Sequence, residues 1–493
     1  MKALSVARLR RAARRETLGV NVGASLNLVG ALVKYLSLAF LFPAAVALVY
    51  GESPRPFLLS LAIGSGLGWG LEFVTRGKEQ VGVREGFLIV SLTWLLAAGI
   101  GALPFLLADE AQFASPIDAY FEAMSGFTTT GASVLTDIPA VSRSLLMWRQ
   151  FSQWLGGMGI IVLALAVLPR LRVGGRQLFE TEAPGPELEL TSTIRDTARK
   201  LWLLYIGLTV ACIAILVGLG AGGGAKSMNL YDATAHAFTT LPTGGFSTRA
   251  RGLEEFNGSA QWTLTVFMLI AGANFALLYV ALLRGRVARL FRDEEFRLYL
   301  ALLAVATGVL TVFLVQEDLH HGEAAVRHAA FQVVSVMTTT GSASTDFATW
   351  SALGAVVLVG LMFIGGSAGS TAGSIKVVRH LLIGRILRRE LDQTVHPEIV
   401  AAVRLNRRPI DERALRAVIV FVLLYVGLFA LGALAISVDS HLTDTTVTPF
   451  EAIAAAATTL GNVGPGFGFA GPMGSFAEFS DFSKVVMIVL MWL

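Results

Sequence analysis

The sequence predicts an all-α polytopic membrane protein, and three observations carry that expectation. The chain of 493 residues is 54% hydrophobic, with a mean hydropathy of +0.65. Charged residues make up 15%, against roughly 25% in a soluble domain, so too few polar groups exist to coat globules of this size. Finally, apolar residues come in runs of about 20, the length a spanning helix needs. Such runs lie near 27–49, 57–75, 86–107, 144–168 and 201–220, then near 260–283, 297–315, 352–375, 414–437 and from 481 to the end, ten in all. The one cysteine, Cys212, falls inside the fifth run, which rules out an intramolecular disulfide and argues against thiolate metal sites.

The net charge of +4 is distributed by position. Basic residues fill alternate gaps: Arg8, Arg10, Arg11, Arg14 and Arg15 before the first run, then Arg76, Lys78 and Arg84, then 170–200, 284–297 and 376–416. The other gaps are poor in Lys and Arg and contain Asp109, Glu110, Glu317, Asp318, Asp439 and Asp444. This bias assigns the basic side, and the N-terminus with it, to the cytoplasm. It explains the positive charge without a nucleic-acid partner. The segment Met1–Thr17 is basic, but a full-length apolar run follows with no small-residue cleavage signature, so it reads as a cytoplasmic lead-in and not as a removed signal peptide.

Four gaps on the acidic side share a pattern. Asp118-Ala119, Asp232-Ala233, His328-Ala329 and Glu451-Ala452 each lead, thirteen positions on, to a glycine: Gly131, Gly245, Gly341 and Gly464. The shared step selects Gly245 over Gly244 and Gly464 over Gly461. Each segment is too short to cross a membrane and lies between two spans. The expected architecture is therefore four parallel helix–pore-helix–helix repeats around a central pore, preceded by two extra N-terminal spans. The boundaries are 1–76 for the N-terminal pair, then 84–170, 199–284, 296–385 and 413–493 for the repeats.

Non-helical backbone at membrane depth is tolerated where it is buried in protein or lines a water-filled path. A cation leaving water needs a ring of carbonyl dipoles in place of its hydration shell. Glycine permits the backbone angles that turn carbonyls toward one axis, neighbouring Thr hydroxyls add oxygens, and half-helix C-termini present the negative end of their dipoles. The candidate filter is Thr129, Thr130 and Gly131; Thr243, Gly244 and Gly245; Thr339, Thr340 and Gly341; and Asn462, Val463 and Gly464. These stretches contain no fixed acid, which suits a monovalent ion better than calcium.

Together with "REGFLIVSLTWLLAAGIGALPF" from Arg84, "WRQFSQWLGGMGIIVLALAVLP" from Trp148, "GGFSTR" from Gly244 and "GGSAGSTAGSIKVVRH" from Gly365, these segments resemble the Trk, Ktr and HKT superfamily of potassium transporters, most closely its TrkH-type membrane subunits. The resemblance implies a potassium-selective path in one pseudo-tetrameric polypeptide, with potassium as substrate. It also implies homodimerisation, a cytosolic nucleotide-binding regulatory subunit of TrkA type, and a place in the bacterial inner membrane. No P-loop is present, and the run at Gly222–Gly224 lies on the outer side, so no nucleotide cofactor belongs to this chain. The basic segments Arg284–Arg297 and Arg385–Arg416 are the expected docking sites for that subunit.

The stretch Gly365–Ser374 puts four glycines inside the inner helix of the third repeat, where each costs about 1 kcal/mol relative to Ala, so the helix is expected to break. A small-residue packing seam is the other reading of such a run. The resemblance makes Gly365, Gly366, Gly369, Ser370, Thr371 and Gly373 an intramembrane gating loop, with Lys376 beyond it either part of the gate or an anchor at the cytoplasmic end. Where the resemblance implies a longer last helix with a pore-facing Arg, this sequence stops at Leu493, about 12 residues into the run, too few at 1.5 Å each to cross a bilayer. Gln153 and Asn274 read as interhelical hydrogen-bonding residues. His236 and His328, near the starts of short segments, are candidates for proton coupling. A sodium- or proton-coupled symporter on the same fold is the alternative mechanism, although no pair of intramembrane acids suggests a proton relay. An intramembrane enzyme is disfavoured because neither His-Glu-x-x-His nor paired membrane aspartates occur.

Overall fold

Ten apolar runs become helices, but not ten simple crossings. The computed structural model describes residues 20–76, 82–167, 194–221, 228–398, 401–443, 445 and 447–493. The basic lead-in before residue 20, Lys78, residues 170–176, the glycine run at 222–224 and Asp444 lie outside the described residues. Helices α1 (Val22–Ser37) and α2 (Leu41–Tyr50) continue one another through a single tight turn, and α3 (Arg55–Val74) returns alongside α1. There follow α4 (Val83–Leu107), α5 (Pro116–Phe127), α6 (Arg143–Val167), α7 (Ile194–Gly220), α8 (Leu230–Thr240), α9 (Gly258–Ala271), α10 (Phe275–Leu283) and α11 (Ala288–Arg292). The chain ends with α12 (Glu294–Gln316), α13 (Gly322–Met337), α14 (Ala352–Met362), α15 (Val377–Val395), a small hairpin of β1 (Arg404–Leu405) and β2 (Arg408–Pro409), α16 (Glu412–Leu442), α17 (Pro449–Leu460) and α18 (Asp481–Trp492).

Among the described residues six helices, or six continuous helical stretches, are long and apolar enough to cross a membrane: Val22–Tyr50, α3, Arg84–Leu107, Asp196–Gly220, α12 and α16. Their outward faces expose large apolar side chains such as Leu203, Val210, Val305, Val312, Leu424 and Leu431, the surface that lipid, unlike water, accepts. The expected single span at 260–283 requires correction. α9 and α10 meet at a bend of 110°, and Asn274 caps α10 there, its Oδ1 accepting the amides of Ala276 and Leu277 at 2.9 and 3.1 Å. Asn274 is thus a capping residue within a broken helix and not an interhelical tie. The expected span at 352–375 is also interrupted: helix stops at Met362 and resumes at Val377. α18 covers 12 residues.

Four short helices, α5, α8, α13 and α17, each follow one long helix and precede another. Each packs against both neighbours in its own unit and also against the second long helix of a neighbouring unit. The inter-unit pairs are α5 with α18, α8 with α6, α13 with α9, and α17 with α14. These four pairs close into a cycle. The apolar core divides accordingly: one large cluster joins α7–α10 to α12–α14, and a second joins α2 and α4–α6 to α16–α18.

Candidate functional site

Each short helix ends in the same hydrogen-bonded cap. The amide of Thr130 reaches back five residues to the Ser125 carbonyl (2.9 Å), Gly244 to Thr239 (2.7 Å), Thr340 to Ser335 (2.7 Å) and Val463 to Thr458 (2.8 Å). The preceding amides, of Thr129, Thr243, Thr339 and Asn462, reach back three, to Gly126, Thr240, Val336 and Thr459. This is the Schellman pattern, which requires a left-handed residue at the turn, ordinarily Gly or Asn. Here the turn residues are Thr129 (φ 54°), Thr243 (59°), Thr339 (55°) and Asn462 (52°). Three β-branched residues in that region are outliers, held there by their surroundings.

Two residues further on, φ is positive again, at Gly131 (86°), Gly245 (79°), Gly341 (73°) and Gly464 (106°). Each of these glycines faces the next unit's backbone. A Cβ on Gly131 would collide with the carbonyl oxygen of Gly244, one on Gly245 with that of Thr340, one on Gly341 with that of Val463, and one on Gly464 with that of Thr130. The contacts run from the first unit to the second, third and fourth and back to the first. They bring all twelve candidate residues into one closed ring, tied further by a hydrogen bond from Thr130 Oγ1 to Asn462 Oδ1. Most of these residues are buried.

Behind the ring, side chains on the short helices hold the chain that leaves each glycine. In the first unit Glu122 accepts from Ser133 Oγ (3.0 Å), Val134 N (2.9 Å) and Arg149 Nε (2.6 Å). Arg149 also donates to Ser133 and to the Ser247 carbonyl of the second unit, and lies over the Phe246 ring. In the second unit Asp232 accepts from Thr248 (2.7 Å) and Arg249 (2.6 Å), and His236 Nε2 meets Ser247 Oγ at 3.2 Å. The hydrogen bond to Asp232 holds the Arg249 guanidinium further above its usual range. In the third unit His328 Nδ1 meets Ser344 Oγ at 2.9 Å and Gln332 reaches the same hydroxyl at 3.4 Å. Gln153 on α6 donates to the Gly244 carbonyl at 2.7 Å and accepts from Phe246 N at 3.2 Å, so it ties a helix to the ring itself. Sequence reasoning missed Glu122, Arg149 and Asp232 as determinants of the site. The signal available was that each is a charged residue inside a short segment or an apolar run, where charge is costly unless it is paired.

Residues 363–376, between α14 and α15, fold against the ring. Thr371 Oγ1 donates to the Leu241 and Ala271 carbonyls (3.1 and 3.3 Å) and accepts from Thr243 Oγ1 at 3.3 Å. Gly373 N donates to Thr339 Oγ1 at 2.6 Å. A Cβ on Gly366 would press on the Gly272 carbonyl, and one on Gly373 on that of Gly461. Ser367 N bonds to Gly272 O (2.8 Å) and Phe275 N to Gly369 O (3.1 Å), so the break between α9 and α10 receives this loop. Gly365 and Ser370 lie within the same fold, and Lys376, just before α15, donates to the Ala372 carbonyl.

Six described helices long and apolar enough to cross a membrane, or seven if the bent pair counts as one span, packed around the closed ring of loop residues, define a multi-pass membrane protein. The chain belongs to the TrkH family of cation transport proteins, whose family model matches residues 56–493. It is 38% identical over 475 residues to the Trk system potassium uptake protein TrkH of Salmonella typhimurium, covering 94% of both chains. It is 35% identical over 474 residues to the TrkG protein of Escherichia coli, again covering 94% of both. The crystal structure of the potassium transporter TrkH from Vibrio parahaemolyticus matches with a TM-score of 0.84 at 35% identity, covering 96% of both chains. Relatives of this kind are transporters, and the chain is not an enzyme.

Proposed function

We propose that this protein takes up potassium across the bacterial inner membrane, N-terminus in the cytoplasm, through a channel-like pore on the axis of the four repeats. One observation carries the reading: four left-handed glycines, one per repeat, each seated against a carbonyl of the next in a closed cycle. Alternation of positive φ at Thr129 and Gly131 around Thr130, repeated in the other units, turns successive carbonyls toward one side. A ring of such oxygens replaces the hydration shell of a monovalent cation, and four helix C-termini add negative potential. The filter is Thr129–Gly131, Thr243–Gly245, Thr339–Gly341 and Asn462–Gly464. The loop containing Gly365, Gly366, Gly369, Ser370, Thr371 and Gly373, with Lys376 at its base, is the gate.

Two partners complete the proposal, a second copy of the chain and a cytosolic nucleotide-binding regulatory subunit of TrkA type. A cleft of about 400 Å3 lined by Arg385, Arg388, Arg389, Arg404 and Arg407, with Glu294 and Asp392 offsetting part of their charge, keeps a net positive lining that supports docking of an acidic surface on the cytoplasmic side.

The test is rubidium or potassium flux into proteoliposomes containing the regulatory subunit, with sodium and proton gradients imposed or removed. Wild type is compared with Gly131→Ser and Gly341→Ser. The expected flux follows the potassium gradient alone, and both variants lose discrimination against sodium. Flux that depends on a sodium or proton gradient establishes the symporter instead.

A further inference from the structure

We propose that the consecutive acids Asp293, Glu294 and Glu295 form a latch joining the cytosolic hairpin at 403–410 to the intramembrane loop, with Glu295 the positioning residue that holds the loop closed. This rests on the pore and gate reading above.

A non-helical loop at membrane depth must find partners for its amides within the protein. One of them, that of Ala368, shares an acceptor with the first turn of α15: Glu295 Oε1 takes the amide of Ala368 at 2.6 Å and that of Val378 at 3.2 Å. Glu295 is 1% exposed, in the first turn of α12. A buried carboxyl oxygen that lost both amides would be left unsatisfied, and so would the amides. One side chain therefore pins both the middle of the loop and the start of the helix that follows it.

The two residues before it hold the hairpin. Asn406, in a left-handed turn with Arg407 (φ 48° and 68°), donates its side-chain amide to Asp293 Oδ2 at 2.8 Å and its backbone amide to Glu294 Oε2 at 3.0 Å. Its Oδ1 accepts the Glu294 amide at 3.0 Å. Arg385 bridges the two sides, pairing with Glu294 at 2.8 Å and donating to the Arg404 carbonyl. The hairpin and the loop also share one apolar cluster, in which Val403 and Leu405 sit with Ala368, Val378, Leu382 and Leu415. A partner that pulls on the hairpin thus acts on the residues adjoining Glu295. The other holds on the loop are made to the ring, through Thr371 and Gly373, and to the break between α9 and α10, through Ser367 and Gly369. Loss of the Glu295 bonds frees the loop on the side that faces the hairpin and shifts the population toward a displaced loop.

Two readouts test this on the full chain in proteoliposomes without a regulatory subunit. The first is potassium flux. The second is maleimide labelling of Ser370→Cys in a Cys212→Ala background; Ser370 is buried in the closed loop, and Cys212 is the chain's one native cysteine. Glu295→Ala should raise both flux and labelling about tenfold, the shift that removal of hydrogen bonds to a buried acceptor produces in a two-state equilibrium. Asn406→Ala should raise both in the same direction, and Glu295→Gln, which keeps a carbonyl acceptor, should fall between Glu295→Ala and wild type. Should Glu295→Ala fail to fold, Glu295→Gln and Asn406→Ala carry the comparison. Unchanged labelling and flux in Glu295→Ala overturn the latch, and unchanged values in Asn406→Ala overturn its link to the hairpin. A variant lacking residues 367–372 separates the two readings. If it conducts while Glu295→Ala does not exceed wild type, the latch alone fails; if it carries no flux, the pore and gate reading fails and the latch falls with it.

Discussion

The Arg149 guanidinium lies 2.6 Å from the Glu122 carboxylate, and the two side chains are 1% and 0% exposed. Both are otherwise fully occupied, Glu122 by Ser133 and Val134, Arg149 by Ser133, Ser247 and the face of Phe246. Arg149, anchored by Glu122 within the first repeat, therefore couples it to the second directly behind the ring through Ser247 and Phe246. Removing one partner leaves an uncompensated buried charge, which costs about 3–5 kcal/mol. Arg149→Met should lower the thermal midpoint of the purified protein sharply, and Arg149→Met with Glu122→Leu should recover much of the loss. A double variant as unstable as the single one would show that the network of hydrogen bonds, and not the charge pair, is what holds the repeats together.

Gln153 acts on the ring itself. Its amide donates to the Gly244 carbonyl at 2.7 Å while its oxygen accepts from Phe246 N at 3.2 Å, fixing the backbone on both sides of Gly245. Gln153→Leu keeps the volume and loses both bonds, so the second repeat's carbonyls should gain freedom. Flux assays should show potassium-over-sodium discrimination falling more than total rubidium flux. Equal loss of both would make Gln153 a folding residue only.

Asn274 is a cap, so its removal should have a bounded effect. Asn274→Ala should cost about 1 kcal/mol, the usual value of an N-cap side chain, read by thermal unfolding. Asn274→Asp keeps the acceptor and should restore it. A loss several times larger would mean that the bend, and the loop seated in it, depends on this one residue.

Much of this architecture was legible because its signals are local or periodic. The runs around α1–α4, α7, α12 and α16 are apolar over a full crossing, and the thirteen-residue step from Asp118 to Gly131 recurs at Asp232, His328 and Glu451. The glycine-dense run at 365–373 foretold the gap between α14 and α15, since glycine is costly in a helix. The bend at Asn274 was not legible, because Ala271–Phe275 contains a single glycine and its cause lies elsewhere: the Gly272 carbonyl and Phe275 amide are engaged by Ser367 and Gly369 of the third repeat. Glu122 with Arg149, and Glu295 with Ala368, are likewise pairings across 27 and 73 residues. Spacing along a helix cannot announce such contacts.

The three left-handed threonines provide the last prediction. A β-branched residue there costs roughly 1–2 kcal/mol, a cost that Asn462 largely avoids in the fourth repeat with nearly the same φ of 52°. Two of the threonines use their hydroxyls on the loop: Thr243 donates to Thr371 at 3.3 Å, and Thr339 accepts from Gly373 N at 2.6 Å. Relief of backbone strain and loss of a loop contact should therefore oppose each other at Thr339, whereas at Thr129 the first should prevail. Thr129→Asn is expected to raise thermal stability by about 1 kcal/mol, part of the strain estimate. Thr339→Asn is expected to gain less or nothing, and to raise potassium leak in the absence of a regulatory subunit. Calorimetry on the two purified variants decides the matter. Equal stabilisation would mean that the Thr339 hydroxyl contributes nothing to holding the loop, and destabilisation of both would mean that the ring selects threonine for its shape and not for its oxygen.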